Sequence, residues 1–234
     1  MHYKIKLSRR LQIIDNMITR PYLHIWDCCC DHGFLGLTLL QRQAAETVHF
    51  VDIVPAILNQ LKDDLDKYYG AEPQQSEWAV HCCDVEKLPL ARVSKCPEKD
   101  NHLIIIAGVG GELTIKLVEA ILSKFSHYRL EFLLCPVQHN YQVREFLISR
   151  RLGLITERLL IENKRGYEIL HVALNAESPI SKVGSTMWDF SREEHLLYLQ
   201  KTIAHYQRIA RRPQHKVSEI IKQYQKLLQS QPAC

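Results

Sequence analysis

Long apolar runs are absent from this chain of 234 residues: none approaches the roughly 18 residues needed to cross a bilayer. The opening MHYKIKLSRR has no apolar core after its charges, so it does not read as an export signal, and a cytoplasmic protein is the expectation. Glycine is sparse, with 9 residues, and no G-x-G-x-x-G follows the first apolar segment, which argues against a nicotinamide-dependent oxidoreductase. Cysteine is not scarce, but the 8 cysteines (28, 29, 30, 82, 83, 96, 135 and 234) never form C-x-x-C. Adjacent cysteines cannot both reach one tetrahedral ion without strain, and at strand ends they serve as small buried hydrophobes. Neither a metal site nor structural disulfides are expected.

Charge of one sign is missing from most of the chain and concentrated at its end. From Asp189 onward there are eight Lys/Arg against four acids, which is the whole +4 excess, while residues 1–188 hold 22 of each and are neutral. A second basic cluster, Lys4, Lys6, Arg9, Arg10 and Arg20 against Asp15, lies near the amino end. Such clusters are either solvated helix faces or surfaces that meet a polyanion.

Hydrophobic content of 46% supports a full core. Leu7, Leu11, Ile14 and Ile18 recur at helical spacing ahead of a first strand at 23–27. Helix 36–45, strand 47–52, helix 56–69 opened by Pro55, strands 78–83 and 102–107, helix 111–125, strand 131–135 and helix 141–151 follow. Two strands, 154–161 and 167–174, joined by the polar turn 162–166, read as a hairpin. This alternation predicts an α/β fold, a mostly parallel sheet covered on both faces with an antiparallel hairpin at one edge. The domain spans 1–175, with 1–22 as a helical lead, and 176–188 reads as a linker. In 189–234, Ser191-Arg192-Glu193-Glu194 has capping-box form. Leu196, Leu199, Ile203, Tyr206 and Ala210, then Val217, Ile220, Tyr224 and Leu227 after Arg212-Pro213, predict a two-helix coiled-coil hairpin.

The segment IWDCCCDHGFLG, residues 25–36, runs from a strand through Asp27 and small residues into a helix, the usual way a nucleotide-type cofactor is held. Cys29 stands where the first tight-turn glycine is normal, so its Cβ hinders close approach unless its φ is negative, while Gly33 returns some freedom. Asp52 closes the second strand, Asp84 the third, and Ala107-Gly108-Val109-Gly110-Gly111 the fourth.

The order LSRRL (7–11), WDCCCDHGFLG (26–36), VD (51–52), CD (83–84), IAGVGGEL (106–113), LLCP (133–136), VREFL (143–147) and YEI (167–169) resembles the TrmK family of bacterial tRNA adenine-22 N1-methyltransferases. The resemblance covers about residues 5–174. It implies a Rossmann-like class I fold, a seven-stranded sheet with one antiparallel strand, S-adenosylmethionine (SAM) as cofactor and tRNA as partner, with no membrane and no metal; a monomer is expected.

Roles follow by position. Asp52 is placed for the ribose hydroxyls and Asp84 for the cofactor's adenine amine, with Asp27, Cys29, Gly33, Ile53, Val85, Ala107 and Gly108 lining the cofactor site. Attack by adenine N1 needs no base, and a carboxylate near the purine stabilises the charge that develops, so Asp31 is the expected catalytic group with His32 beside it. Phe34, Gly110 and Gly111 are placed for the target base, and Arg9, Arg10, Arg208, Arg211, Arg212 and Lys216 for RNA phosphates. The segment after the fourth strand is not the Asn/Asp-Pro-Pro-aromatic motif of exocyclic-amine methylation. The alternative is a non-catalytic RNA-binding module whose cofactor loop has decayed at Cys29.

Overall fold

The computed structural model describes residues 5–69, 76–211 and 217–229. One sheet of seven strands, in the order β3-β2-β1-β4-β5-β7-β6, organises them. The central strands β1 (Tyr22–Cys28), β4 (Asn101–Ala107) and β5 (Arg129–Cys135) are buried on both faces and mostly apolar, as strands covered by helices on both sides are, with His24, Asp27, His102 and Glu131 as buried polar exceptions. Outward from β1 lie β2 (Ala45–Asp52) and β3 (Glu77–Cys82), all parallel. β7 (Arg165–Ala173) runs antiparallel to both β5 and the edge strand β6 (Gly153–Glu162), as the hairpin reading expected. The hairpin closes in two residues, Asn163 (φ 49°) and Lys164 (φ 62°), the left-handed pair that matches strand twist.

Helices α1 (Arg9–Met17), α2 (Phe34–Gln41) and α3 (Pro55–Tyr69) cover one face, where Ile14, Leu39, Leu61 and Leu65 pack on Ile25, Phe50, Leu103 and Ile105. The other face takes α4 (Leu90–Val93), α5 (Gly111–Phe125) and α6 (Asn140–Ser149), with Leu90, Val118 and Leu147 against Trp26, Ile104 and Phe132. The sequence pattern had not shown α4 or the 3-10 turn Val85–Lys87, because elements of one turn carry no readable period.

Helices α7 (Glu193–Ala210) and α8 (Ser218–Gln229) follow. Their seam follows most of the heptad reading: Leu199, Ile203, Tyr206 and Tyr224 are buried, Val217, Ile220 and Leu227 pack half-buried against them, Leu196 is half-buried, and Ala210 is exposed with Ile209 taking its place. They close on Tyr141 of α6, so the pair is seated on the sheet domain. Ser191 does not form the expected capping box: the N-cap is Arg192, without a side-chain cap bond, and the Ser191 hydroxyl donates to Asp189 Oδ1 at 2.6 Å. Residues 176–188, read as a linker, connect β7 to α7 but are anchored. Ile180, Val183 and Met187 are buried, and Glu157 accepts the Ser185 and Thr186 amides at 2.6 and 2.7 Å.

Candidate active site

Strand order reverses at β1, whose neighbours are β2 and β4, so the connections leave in opposite directions and open a crevice at the carboxyl ends of β1 and β4. The loop of residues 29–33 and the Ala107–Gly111 segment border this crevice.

Left-handed backbone shapes the loop. Cys29 (φ 56°), Asp31 (φ 49°) and Gly33 (φ 68°) alternate with ordinary residues, and the Gly33 amide closes the turn on the Cys30 carbonyl at 2.8 Å. Cys29 therefore does not escape through negative φ; it takes the glycine conformation, a strain of roughly 1–2 kcal/mol. Burial and the carboxylates of Asp52, Asp27 and Asp84 push its thiol up to about 11, so it stays protonated. Helix α2 starts at Phe34, two residues earlier than the sequence pattern indicated, placing Gly36 inside it. A Cβ on Gly36 would lie 2.3 Å from the Phe50 ring; this is the glycine that lets the first helix lie against the sheet.

Asp27 is buried beneath the loop, and its Oδ2 accepts the Gly36 amide at 2.9 Å. Desolvation raises its carboxyl to about 7, opposed by that hydrogen bond. Asp52 Oδ1 accepts the Ile53 and Val54 amides at 2.7 and 3.1 Å, while Oδ2 accepts the Asp31 amide at 3.2 Å. Asp52 therefore ties the β2 turn to the loop. Ile53 (68% exposed) and Val54 (40%) stand open beside it, apolar surface suited to the face of a purine ring. Asp84 caps the 3-10 turn by accepting the Glu86 amide at 3.0 Å, with Val85 buried behind it. The Asp31 and His32 side chains are open to solvent, 3.7 Å apart, and His32 stacks on Phe34 with ring centroids 5.7 Å apart.

Across the crevice, Gly108 has φ 85° and hydrogen-bonds Cys135, while Gly110 precedes α5 as its N-cap. A Cβ on Gly111 would lie 2.5 Å from the Gln138 carbonyl, so packing alone requires glycine there. Gly108 is exposed and faces Arg10 of α1, whose guanidinium also lies over the Tyr167 ring, 5.3 Å from its centroid.

Arg10 stands at the inner end of a groove of about 1270 Å³ between the β6–β7 turn, the start of α6 and helices α7 and α8. Lys164, Arg165, Lys201 and Arg208 line it with Tyr141, Tyr167, Tyr198 and Tyr206; among the described residues its one carboxylate, Glu168, is buried and paired with Arg144. Of the basic residues expected to meet RNA, Arg10 and Arg208 are brought to this groove, Arg9 and Arg211 are exposed outside its lining, and Arg212 and Lys216 lie outside the described residues. Lys164, Arg165 and Lys201 were not anticipated there; the basic turn was visible in sequence, but its partner surface was not. Among the described residues no group of His, Cys, Asp and Glu could hold a metal ion.

The fold and crevice define a class I, nucleotide-cofactor α/β protein with an acidic loop. Residues 7–170 match the family model described as "Methyltransferase domain", and the chain belongs to that family. It is 28% identical over 168 residues to the tRNA (adenine(22)-N(1))-methyltransferase of Bacillus subtilis (strain 168), a match spanning 71% of this chain and 65% of that one. The crystal structure of the B. subtilis m1A22 tRNA methyltransferase TrmK superposes with a TM-score of 0.70 at 26% identity, covering 97% of this chain and 95% of that one. M. capricolum TrmK, in complex with S-adenosylhomocysteine, shares the fold at a TM-score of 0.70 and 16% identity, over 95% and 98% of the two chains.

Proposed function

We propose that this chain is a SAM-dependent methyltransferase that modifies N1 of an adenine in tRNA, with adenine 22 the position named for its relatives. One observation carries the reading: the carboxyl edge of the sheet is divided by charge. Asp31, Asp52 and Asp84 gather over β1, β2 and β3 with Asp27 buried beneath them, whereas Arg10, Lys164, Arg165, Lys201 and Arg208 gather on the β4-to-β6 side, and the two meet at Gly108. An acidic crevice suits a cofactor bearing a sulfonium and an ammonium, and a basic, tyrosine-lined groove suits a nucleic acid.

The cofactor fits the residues present: exposed apolar Ile53 and Val54 beside Asp52 suit its adenosine, and side-chain-free Gly108 leaves room where methyl and base must meet. SAM supplies an electrophilic methyl on a positively charged sulfur. Asp52 holds the ribose side through its second oxygen while fixing the loop, and Asp84 lies where the adenine amine needs an acceptor. Alignment supplies most of the acceleration, so the chain's task is to hold nucleophile and methyl in line. Adenine N1 attacks with its own lone pair, and positive charge passes onto the purine. Asp31, whose side chain has only His32 as a side-chain partner among the described residues, stabilises that charge and does so more in the transition state than before it.

Attraction of RNA phosphates to Lys164, Arg165, Lys201 and Arg208 offsets the few kcal/mol required to unstack the target base. A tRNA substrate places the protein in the cytoplasm, and a monomer holds both surfaces. The reading is tested by mass spectrometry of tRNA nucleosides from cells with and without the gene: loss of 1-methyladenosine is the expected result, and unchanged 1-methyladenosine contradicts it.

A further inference from the structure

Arg9 and Arg10 occupy the first turn of α1, after the N-cap Ser8, and no acid accompanies them. Cations there oppose the helix dipole, so the local helix gains nothing from them. Arg9 points to solvent, but Arg10 is half-buried and folded inward. Its terminal nitrogen would lie 3.3 Å from a Cβ on Gly108, its guanidinium covers the Tyr167 ring, and its Nε is buried with no hydrogen-bond partner. Among the described residues Arg10 makes no ion pair, although the buried Arg144 on the same side of the molecule is matched by two carboxylates. A permanently charged fork, held in place by an aromatic ring and left without an acceptor, is a receptor waiting for two oxygens.

The location sharpens this. Both the sulfonium before transfer and the methylated purine after it are cations, and an unneutralised guanidinium at Gly108 would repel each of them. The arrangement works only if a ligand brings its own negative charge to Arg10. We infer that Arg10 is the receptor for an anionic oxygen group at the junction of crevice and groove, either the carboxylate of the cofactor's amino-acid end or a phosphate flanking the target nucleotide. This rests on the methyltransferase reading above, and it makes Arg10 a binding residue at the reaction centre rather than one more member of a diffuse basic patch. Tyr167 positions it by stacking.

The test uses the full chain and the Arg10→Gln variant, which leaves a shorter polar side chain with an amide donor and removes the charge. Calorimetry with S-adenosylhomocysteine, and with 5′-methylthioadenosine, which lacks the carboxylate, reports the cofactor source. Steady-state methylation of an unmodified tRNA transcript at saturating SAM reports the phosphate source. At least a tenfold loss of S-adenosylhomocysteine affinity with unchanged methylthioadenosine binding assigns the carboxylate. Unchanged affinity for both, with at least a tenfold loss of kcat/KM for tRNA, assigns the phosphate. Arg10→Lys, which keeps charge but not the planar fork, should recover part of either loss, and it serves as the probe if the glutamine variant does not fold. Binding and kinetics of Arg10→Gln all within twofold of wild type overturn the inference while leaving the methyltransferase reading intact. A wild-type chain that neither binds S-adenosylhomocysteine nor methylates tRNA overturns both.

Discussion

Arg144 of α6 and Glu168 of β7 form an ion pair at 2.8 Å with neither side chain open to water. The same guanidinium reaches Glu157 of β6 at 2.7 Å and the Ser181 carbonyl at 3.0 Å, and Glu168 also accepts the Tyr198 hydroxyl of α7 at 2.9 Å. Sheet, anchored connection and terminal helices are thus joined at one buried polar cluster behind the groove. Leaving one member of such a cluster unpaired costs about 3–5 kcal/mol, because the remaining charge stays buried. Arg144→Leu should therefore lower stability to chemical denaturation by that order. A loss below about 1 kcal/mol would show that Glu157 and Glu168 find other partners.

Cleaving the chain near Thr186 is for the same reason a poor test of the terminal helices. It would remove the Tyr198 partner of Glu168 and uncover Tyr141. Charge substitution tests them without that damage: Lys201→Gln with Arg208→Gln should keep SAM affinity, weaken tRNA binding and flatten its salt dependence by about one unit of slope per lost phosphate contact. Identical salt curves would remove α7 from the RNA surface.

A row of histidines crosses the sheet under Trp26. His24 Nδ1 lies 3.1 Å from His49 Nε2, His49 Nδ1 lies 3.0 Å from His81 Nε2, and His24 stacks on His102 with centroids 4.8 Å apart. Burial lowers all four, His49 to about 2 and His102 to about 4. The folded state holds them neutral while the unfolded chain protonates near 6.5. Their contribution is therefore complete above that pH and is lost as pH falls through 6 toward 4. Each adds a slope of about 1.4 kcal/mol per pH unit while only the unfolded form is charged. His49→Phe, which can still stack on Trp26, should show a shallower acid limb in Tm against pH; an unchanged limb would mean that the row does not govern acid stability.

Much of this architecture was legible because buried parallel strands are written as continuous apolar runs, such as Leu103–Ile106, and because Pro55 and the glycine-rich turn after β4 mark helix entries. The turn of small residues after β1 and the aspartates that close β2 and β3 marked in sequence where the crevice at the strand ends lies. What stayed hidden depends on tertiary placement. VREFL and YEI were visible as motifs, yet only the packing of α6 against β7 makes Arg144 and Glu168 partners. The histidine row needs four strands in register, and nothing local marks it. Cysteine and aspartate do not advertise positive φ as glycine does, so the left-handed turns at Cys29 and Asp31 could not be read.

That strain is measurable. Cys29→Gly should relieve roughly 1 kcal/mol of backbone strain, partly offset by the greater freedom of an unfolded glycine, and should hold or improve SAM affinity. Weaker SAM binding in this variant would mean that the Cys29 side chain itself contributes to the site.

Delivery of a methyl group from the acidic crevice to adenine N1, with Asp31 stabilising the charge that results, can be followed in one experiment. The direct measurement is single-turnover transfer of an isotope-labelled methyl from SAM to an unmodified tRNA transcript, with the product nucleoside identified by mass spectrometry, for wild type and Asp31→Ala. The wild type should yield labelled 1-methyladenosine, and the variant should be slower by roughly a hundredfold or more at SAM affinity within a few-fold. No labelled 1-methyladenosine from a wild-type protein that binds SAM, or an equal rate in Asp31→Ala, would contradict it.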